Sequence, residues 1–134
     1  MEEITKEQIE TRLGLATTIV RILDEKQARR IKLLLVENQT SLTNYFVICE
    51  GRSSTHINAL ADEITERLEK AGMPILHSEG YDTGNWVALD YASVIVHIFD
   101  RSTREFYNLE HLWKDGTEIN IDELLTPGGI GDDQ

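Results

Sequence analysis

Trp86-Val87-Ala88-Leu89-Asp90-Tyr91-Ala92-Ser93-Val94-Ile95-Val96-His97-Ile98-Phe99 is the stretch that decides the fold. It reads as two strands, Trp86–Leu89 and Val94–Phe99, joined by a short turn. Successive side chains of a strand point to opposite faces. Val87 and Leu89 therefore point one way, and Trp86, Ala88 and Asp90 the other. In the second strand Val94, Val96 and Ile98 share one face, while Ile95, His97 and Phe99 share its opposite. With an even-numbered connection the aliphatic sets merge into one core face. Trp86 then falls roughly opposite His97, with Asp90 and Phe99 on the same side. That second face mixes an indole, an imidazole, a phenyl ring and a carboxylate. It is either a second core layer under a helix or an exposed binding face, and the pattern alone leaves both open.

Working outward, residues 4–23 read as a helix. Thr5 is its N-cap, Gln8 completes a capping box, and Ile4 with Ile9 forms a hydrophobic staple. Gly14 weakens this helix by about 1 kcal/mol relative to alanine. Ile31–Val36 and Tyr45–Cys49 read as strands on either side of a turn at Asn38–Ser41. A long helix follows, capped by Ser53 or Ser54, with the stripe Ile57, Leu60, Ala61, Ile64, Leu68 and Ala71 and a stop at Gly72. A short strand fits Ile75–His77. Ser102 and Glu105 suggest a capping box opening a helix from Thr103 to Trp113. On that helix Phe106, Leu109 and Trp113 form a packing stripe, and Arg104, Tyr107 and His111 an adjacent one. Its spacing pairs Glu110 only poorly with Arg104. The expected fold is a single α/β domain with a mixed sheet flanked by helices over residues 1–114. Residues 115–134 carry six acids and no base and read as an acidic, flexible tail, although Ile119, Ile121, Leu124 and Leu125 offer a pattern able to dock.

At 134 residues the chain can bury one core. Thirteen basic against 24 acidic residues leave a net charge of −11, which suits a basic protein partner and opposes direct binding to nucleic acid. No apolar run approaches the roughly 18–20 residues of a membrane helix. Met1-Glu2-Glu3-Ile4 lacks a leader's apolar or arginine-rich character, so the expected location is the cytoplasm. Cys49 is the one cysteine, inside an apolar run, which excludes an internal disulfide.

Catalytic chemistry finds little support. His56, His77, His97 and His111 lack metal-ligand spacing, and no Asp-x-Asp pair offers a two-metal site. No metal or cofactor is expected. The runner-up function is a small nucleotide-binding or nucleotidyl-transfer enzyme, with Gly51-Arg52-Ser53-Ser54 at a helix start to hold an anion. A third reading makes a homodimer the working unit.

Several strings resemble one family. Glu79-Gly80, Trp86-x-x-x-Asp90, Val94-x-x-His97-x-Phe99 and Arg104-x-x-Tyr107-x-Leu109-Glu110-x-Leu112-Trp113 resemble the signature of the Iojap family, the ribosomal silencing factors. Asn44-Tyr45-Phe46-Val47-Ile48 with Gly51-x-Ser53-Ser54 resembles the same family's first half, with Asn44 where an aspartate is usual. The resemblance runs from about Leu23 to Lys114. It implies a fold related to nucleotidyltransferases without their catalytic carboxylates, and no enzyme activity. It also implies binding to the large ribosomal subunit through its protein fourteen, which blocks subunit joining and represses translation when nutrients are short, and a link to large-subunit maturation. On that reading Trp86 and Phe99 are hydrophobic anchors with Tyr107 beside them, and Glu79 and Asp90 pair with basic residues of the partner. His97 and Arg104 either join that interface or hold the structure in place.

Overall fold

The computed structural model describes residues 3–125. Strands β1 (Arg29–Leu35), β2 (Tyr45–Glu50), β3 (His77–Glu79), β4 (Trp86–Asp90), β5 (Val94–Phe99) and β6 (Thr117–Ile119) form one sheet in the order β3-β4-β5-β2-β1-β6. β2 and β5 run parallel and every other pair is antiparallel. The helices are α1 (Lys6–Ile9), α2 (Arg12–Glu25), α3 (Ser54–Lys70), α4 (Arg101–Tyr107), α5 (Leu109–Leu112) and α6 (Ile121–Leu125). The mixed sheet with flanking helices is the architecture that the sequence pattern predicts.

One sheet face carries the main core. Leu33, Val47, Cys49, Val87, Leu89, Val94, Val96 and Ile98 are buried there with the apolar stripes of α2 and α3. Of these, Val87, Leu89, Val94, Val96 and Ile98 are the alternating residues that the hairpin periodicity assigns inward. Ser53 caps α3, its Oγ accepting the His56 N–H at 3.1 Å.

The first helical segment is two helices rather than one. The Thr5–Gln8 capping box is present. The helix then breaks, because the Thr11 hydroxyl caps a new start by accepting the Gly14 N–H at 2.9 Å. Gly14 is what this break needs, since a Cβ there would lie 2.5 Å from the Gln8 carbonyl oxygen. Its lost helix propensity is offset by that close approach.

The composition change after Lys114 is not a break in the fold. β6 pairs with β1, with Ile119 opposite Leu33, and Leu124 of α6 is fully buried against α2. Residues 115–125 are therefore part of the domain and not a flexible tail. The remainder of that acidic segment, 126–134, lies outside the described residues. The short strand expected at Ile75–His77 falls two residues later, because pairing with β4 starts at His77 opposite Asp90.

Gly80 sets the β3–β4 connection. Its φ is +97°, and a Cβ would sit 1.8 Å from the Trp86 carbonyl oxygen. Gly80→Ala is expected to cost more than the about 1–3 kcal/mol of a strained backbone conformation, because the Trp86 carbonyl must also move aside. It should lower the urea midpoint with an unchanged slope. A midpoint equal to wild type would show that this turn relaxes freely.

Candidate functional site

The second sheet face is only half covered. Leu34, Phe46, Ile48 and Phe99 are buried on it, with Trp86, Ile95, Leu109 and Trp113 partly buried around them. The pairing register builds its open part in rows. His77, Asp90 and Ile95 form one, Glu79, Ala88 and His97 a second, and Trp86 with Phe99 a third. Residues directly opposite across strands share a face, so Glu79, Asp90 and Trp86 are all presented together. Trp86 stands opposite Phe99 and not opposite His97, one row from the position that the loop-parity argument gave.

Rings run across this face from end to end. Ring centroids are 4.7 Å apart between Tyr107 and Trp86, and 4.8 Å between Trp86 and Phe99. They are 5.2 Å apart between His97 and Phe46, and 5.3 Å between Phe46 and Trp113. The Trp86 Nε1–H donates to His97 Nδ1 at 3.1 Å. That bond fixes the indole plane and the imidazole tautomer together, because an accepting Nδ1 leaves the proton on Nε2.

Burial pushes the His97 pKa from the ordinary 6.5 down to about 4. The unfolded chain thus takes up a proton before the folded one does. Stability is whole above pH 6.5 and falls between pH 6.5 and about 4. The loss is at most about 3.5 kcal/mol, since a tenfold change in proton affinity is worth about 1.4 kcal/mol. Urea unfolding at pH 7 and pH 4.5 should show a smaller drop for His97→Gln than for wild type. Equal drops would place the acid sensitivity elsewhere.

The individual site residues sort by burial. Tyr107 is exposed, Trp86 is half-buried and Glu79 is exposed. The His77 Nε2 lies 2.8 Å from Glu79 Oε2. Asp90 is half-buried, and its Oδ1 accepts the Ala92 N–H at 2.8 Å where Ala92 adopts a φ of 70°. One of its oxygens thus holds the β4–β5 turn. Phe99 has 0% exposure and cannot be a surface anchor; it is the floor on which Trp86 rests, the two rings tilted by 32°. The apolar groups missed by sequence reasoning are Phe106, 81% exposed, and Leu112, 68% exposed. Phe106 lies edge-on to Tyr107 at 5.0 Å and does not pack inward with Leu109 and Trp113. Beside Trp86, a shallow groove of about 450 Å³ is lined by Glu79, Gly80, Asp82, Thr83, Asn85 and Ala88.

Arg104 is structural. It is 2% exposed, and its guanidinium donates to three elements. Nη1 reaches the Arg30 carbonyl at 2.7 Å and Glu50 Oε2 at 3.3 Å. Nη2 and Nε grip Glu110 at 2.8 and 3.4 Å. The pairing with Glu110 that continuous-helix spacing disfavours exists because the helix is not continuous. Asp100, rather than Ser102, is the N-cap, and Asn108 breaks the segment with a φ of 48°.

The other candidate chemistries lose their groups to the fold. At the Gly51–Ser54 helix start, the Gly51 N–H donates to Phe99 O and the Arg52 N–H to His56 Nδ1. Ser53 Oγ is taken by its own helix. Two of the backbone donors at this start, those of Gly51 and Arg52, are thus already committed within the fold. Cys49 is buried, which pushes its thiol up to about 12, far from a reactive thiolate. Asn44 donates its amide to Glu37 at 2.9 Å, a contact that an aspartate there would turn into repulsion. Among the described residues no three His, Cys, Asp or Glu side chains are grouped to hold a metal ion, and no helix is long and apolar enough to cross a membrane.

The fold and this face define a small mixed α/β domain presenting a half-covered aromatic sheet surface with acidic neighbours. Comparison with known proteins makes the assignment particular. A family model described as ribosomal silencing factor during starvation matches residues 7–131. A ribosomal silencing factor of Halalkalibacterium halodurans is 31% identical over 107 residues, covering 80% of this chain and 92% of the relative. The mouse protein named mitochondrial assembly of ribosomal large subunit protein 1 is 33% identical over 98 residues, covering 71% of this chain and 43% of that one. A crystal structure of a Chromobacterium violaceum protein superposes with a TM-score of 0.75 at 28% identity, covering 82% of this chain and 91% of the other. The chain belongs to the ribosomal silencing factor family.

Proposed function

We propose that this chain represses translation by docking on the large ribosomal subunit through its protein fourteen. There it occupies the surface that the small subunit needs. The observation that carries this reading is the open Trp86–Tyr107 seam, where two large rings meet at a tilt of 48° with centroids 4.7 Å apart between β4 and α4 and Phe106 exposed alongside. Exposed aromatic clusters mark protein contacts, and Trp and Tyr dominate their energetics. Family membership supplies the ribosomal context, and the mouse relative is named for assembly of the large subunit. A maturation role beside repression fits the same contact. A net charge of −11 favours a basic protein as the immediate partner. Glu79 and Asp82, which line the groove beside Trp86, would supply the carboxylates that meet its cations.

The mechanism is steric. A docked domain needs no reaction and no nucleotide, so repression depends on occupancy alone and on working in the cytoplasm beside free subunits. Purified large subunits, with and without small subunits, test it on sucrose gradients. Co-sedimentation with free large subunits and fewer joined ribosomes is the expected result. A protein that stays at the top of the gradient at moderate salt overturns the reading. Titration with ATP and magnesium in parallel reads out the enzyme alternative, and no saturable binding is expected.

As a milder prediction on the same assay, Glu79→Lys should slow association and flatten its salt dependence, as changes at a rim charge do. An unchanged salt dependence would place Glu79 outside the contact.

A further inference from the structure

We infer that Glu50 and Glu110 are positioning residues of the docking face, holding through Arg104 the helix break that lays Tyr107 against Trp86. This rests on the docking reading above. The geometry starts from helical spacing. Residues six apart on one helix lie about 240° round its axis, since each advances about 100°. Arg104 and Glu110 could not meet on a straight segment. They form a two-point pair because Asn108 sits in the left-handed region, φ 48° and ψ 57°. The break and the pair are therefore one object.

The other side of the clamp is built far back in the chain. Glu50 ends β2 with 4% exposure, and its carboxylate accepts from both Arg104 and Arg30. A β-bulge between Arg29 and Lys32 turns Arg30 to a φ of 50°. Its carbonyl accepts from Arg104 at 2.7 Å. One guanidinium thus ties β1, β2 and α5 to α4. A buried ionic set of this kind is a poor way to gain stability over apolar packing. What it supplies is direction, because the planar fork binds acceptors only in fixed places. Tyr107 is the last residue before the break, and Trp113 follows α5 to rest on Phe46. Both ends of the open face are set by the same clamp.

A double-mutant cycle tests this on large-subunit binding, with Glu110→Gln, Tyr107→Ala and the pair. If Glu110 acts through Tyr107, Glu110→Gln alone weakens binding about tenfold and adds less than about twofold once Tyr107 is gone. Multiplying losses overturn the inference. A second readout is independent of the ribosome. The Trp86 indole N–H resonance, assigned by Trp86→Phe, should shift in Glu110→Gln and in Glu50→Gln while circular dichroism stays unchanged. If wild type fails to pellet, the docking reading falls, and the indole resonance alone decides whether the clamp positions the Tyr107–Trp86 seam. An unshifted resonance overturns it. Glu50→Gln serves if Glu110→Gln does not fold.

Discussion

Arg104→Ala is expected to destabilise the domain by about 3–5 kcal/mol, the loss found when one partner of a buried ion pair is removed. The reason is what remains behind. Glu50 keeps only 4% of its surface exposed, and without Arg104 its charge is left to Arg30 alone, at 2.8 Å from a half-exposed side chain. The Arg30 carbonyl and Glu110 lose the same donor at the same time. A domain of ordinary stability holds about 5–15 kcal/mol in all, so this variant should sit near its unfolding limit at 37 °C. Arg104→Lys should fall between, because a point charge cannot serve acceptors on three elements at once. Urea unfolding at pH 7 measures all of this. A loss under about 1 kcal/mol for Arg104→Ala would mean that the network is solvated and holds nothing in place. The acid limb offers a second check. Burial alone would raise the Glu110 pKa, but the hydrogen bond and charge of Arg104 outweigh it and leave the group below its ordinary value of 4.5. Stability from this carboxylate is present above that value and lost as pH falls through the lower folded-state pKa. Arg104→Ala should flatten that part of the pH profile.

The parts of the fold legible in the sequence are those decided by local periodicity. Val87, Leu89, Val96 and Ile98 alternate cleanly, and all are fully buried on one face. The long helix α3 declares its stripe and its serine cap in the same way. The last helical segment was illegible for a physical reason. Ser102 and Glu105 offer a capping box, yet Asp100 accepts the Thr103 N–H at 2.8 Å and starts the helix earlier. Asn108 is the one local signal of a break, since asparagine tolerates the left-handed region, but its stabilising partner Glu50 lies far away on β2. The same segment misled the site reading. The stripe with Leu109 and Trp113 assigns Phe106 inward, and only the tertiary arrangement makes Phe106 surface while Phe99 of β5 is the floor. The acidic run after Lys114 hid a strand, because β6 needs only a few residues and one buried leucine on α6 to join the sheet. Composition registers the solvent-facing majority and not the few groups that dock.

Trp86→Ala is expected to weaken large-subunit binding at least about 30-fold, the equivalent of about 2 kcal/mol and the threshold of an interface hot spot. The ring has the placement that such anchors share: half-buried, resting at a tilt on the Phe99 floor with centroids 4.8 Å apart and flanked by Tyr107 at 4.7 Å. Its orientation is fixed before any partner arrives, because Nε1 is held by His97. Pre-organised rings lose little freedom on binding, so more of their contact area counts toward affinity. The substitution also removes packing within the domain. Since Trp86 is only half-buried, that cost should be roughly 1–2 kcal/mol, below the 3–5 kcal/mol typical of a fully buried aromatic. The fold should survive with unchanged far-ultraviolet circular dichroism. Trp86→Phe keeps a ring on Phe99 but strips His97 of its donor, and should bind between wild type and Trp86→Ala. Leu42→Ala serves as the control, since Leu42 is 73% exposed but belongs to neither ring cluster. Collapse of the circular dichroism spectrum in Trp86→Ala would return Trp86 to the core and invert the assignment of faces. Full binding by a folded Trp86→Ala would move the docking surface away from β4. A loss confined to Trp86→Ala and Tyr107→Ala, with Leu42→Ala unaffected, would locate the contact on the seam between β4 and α4.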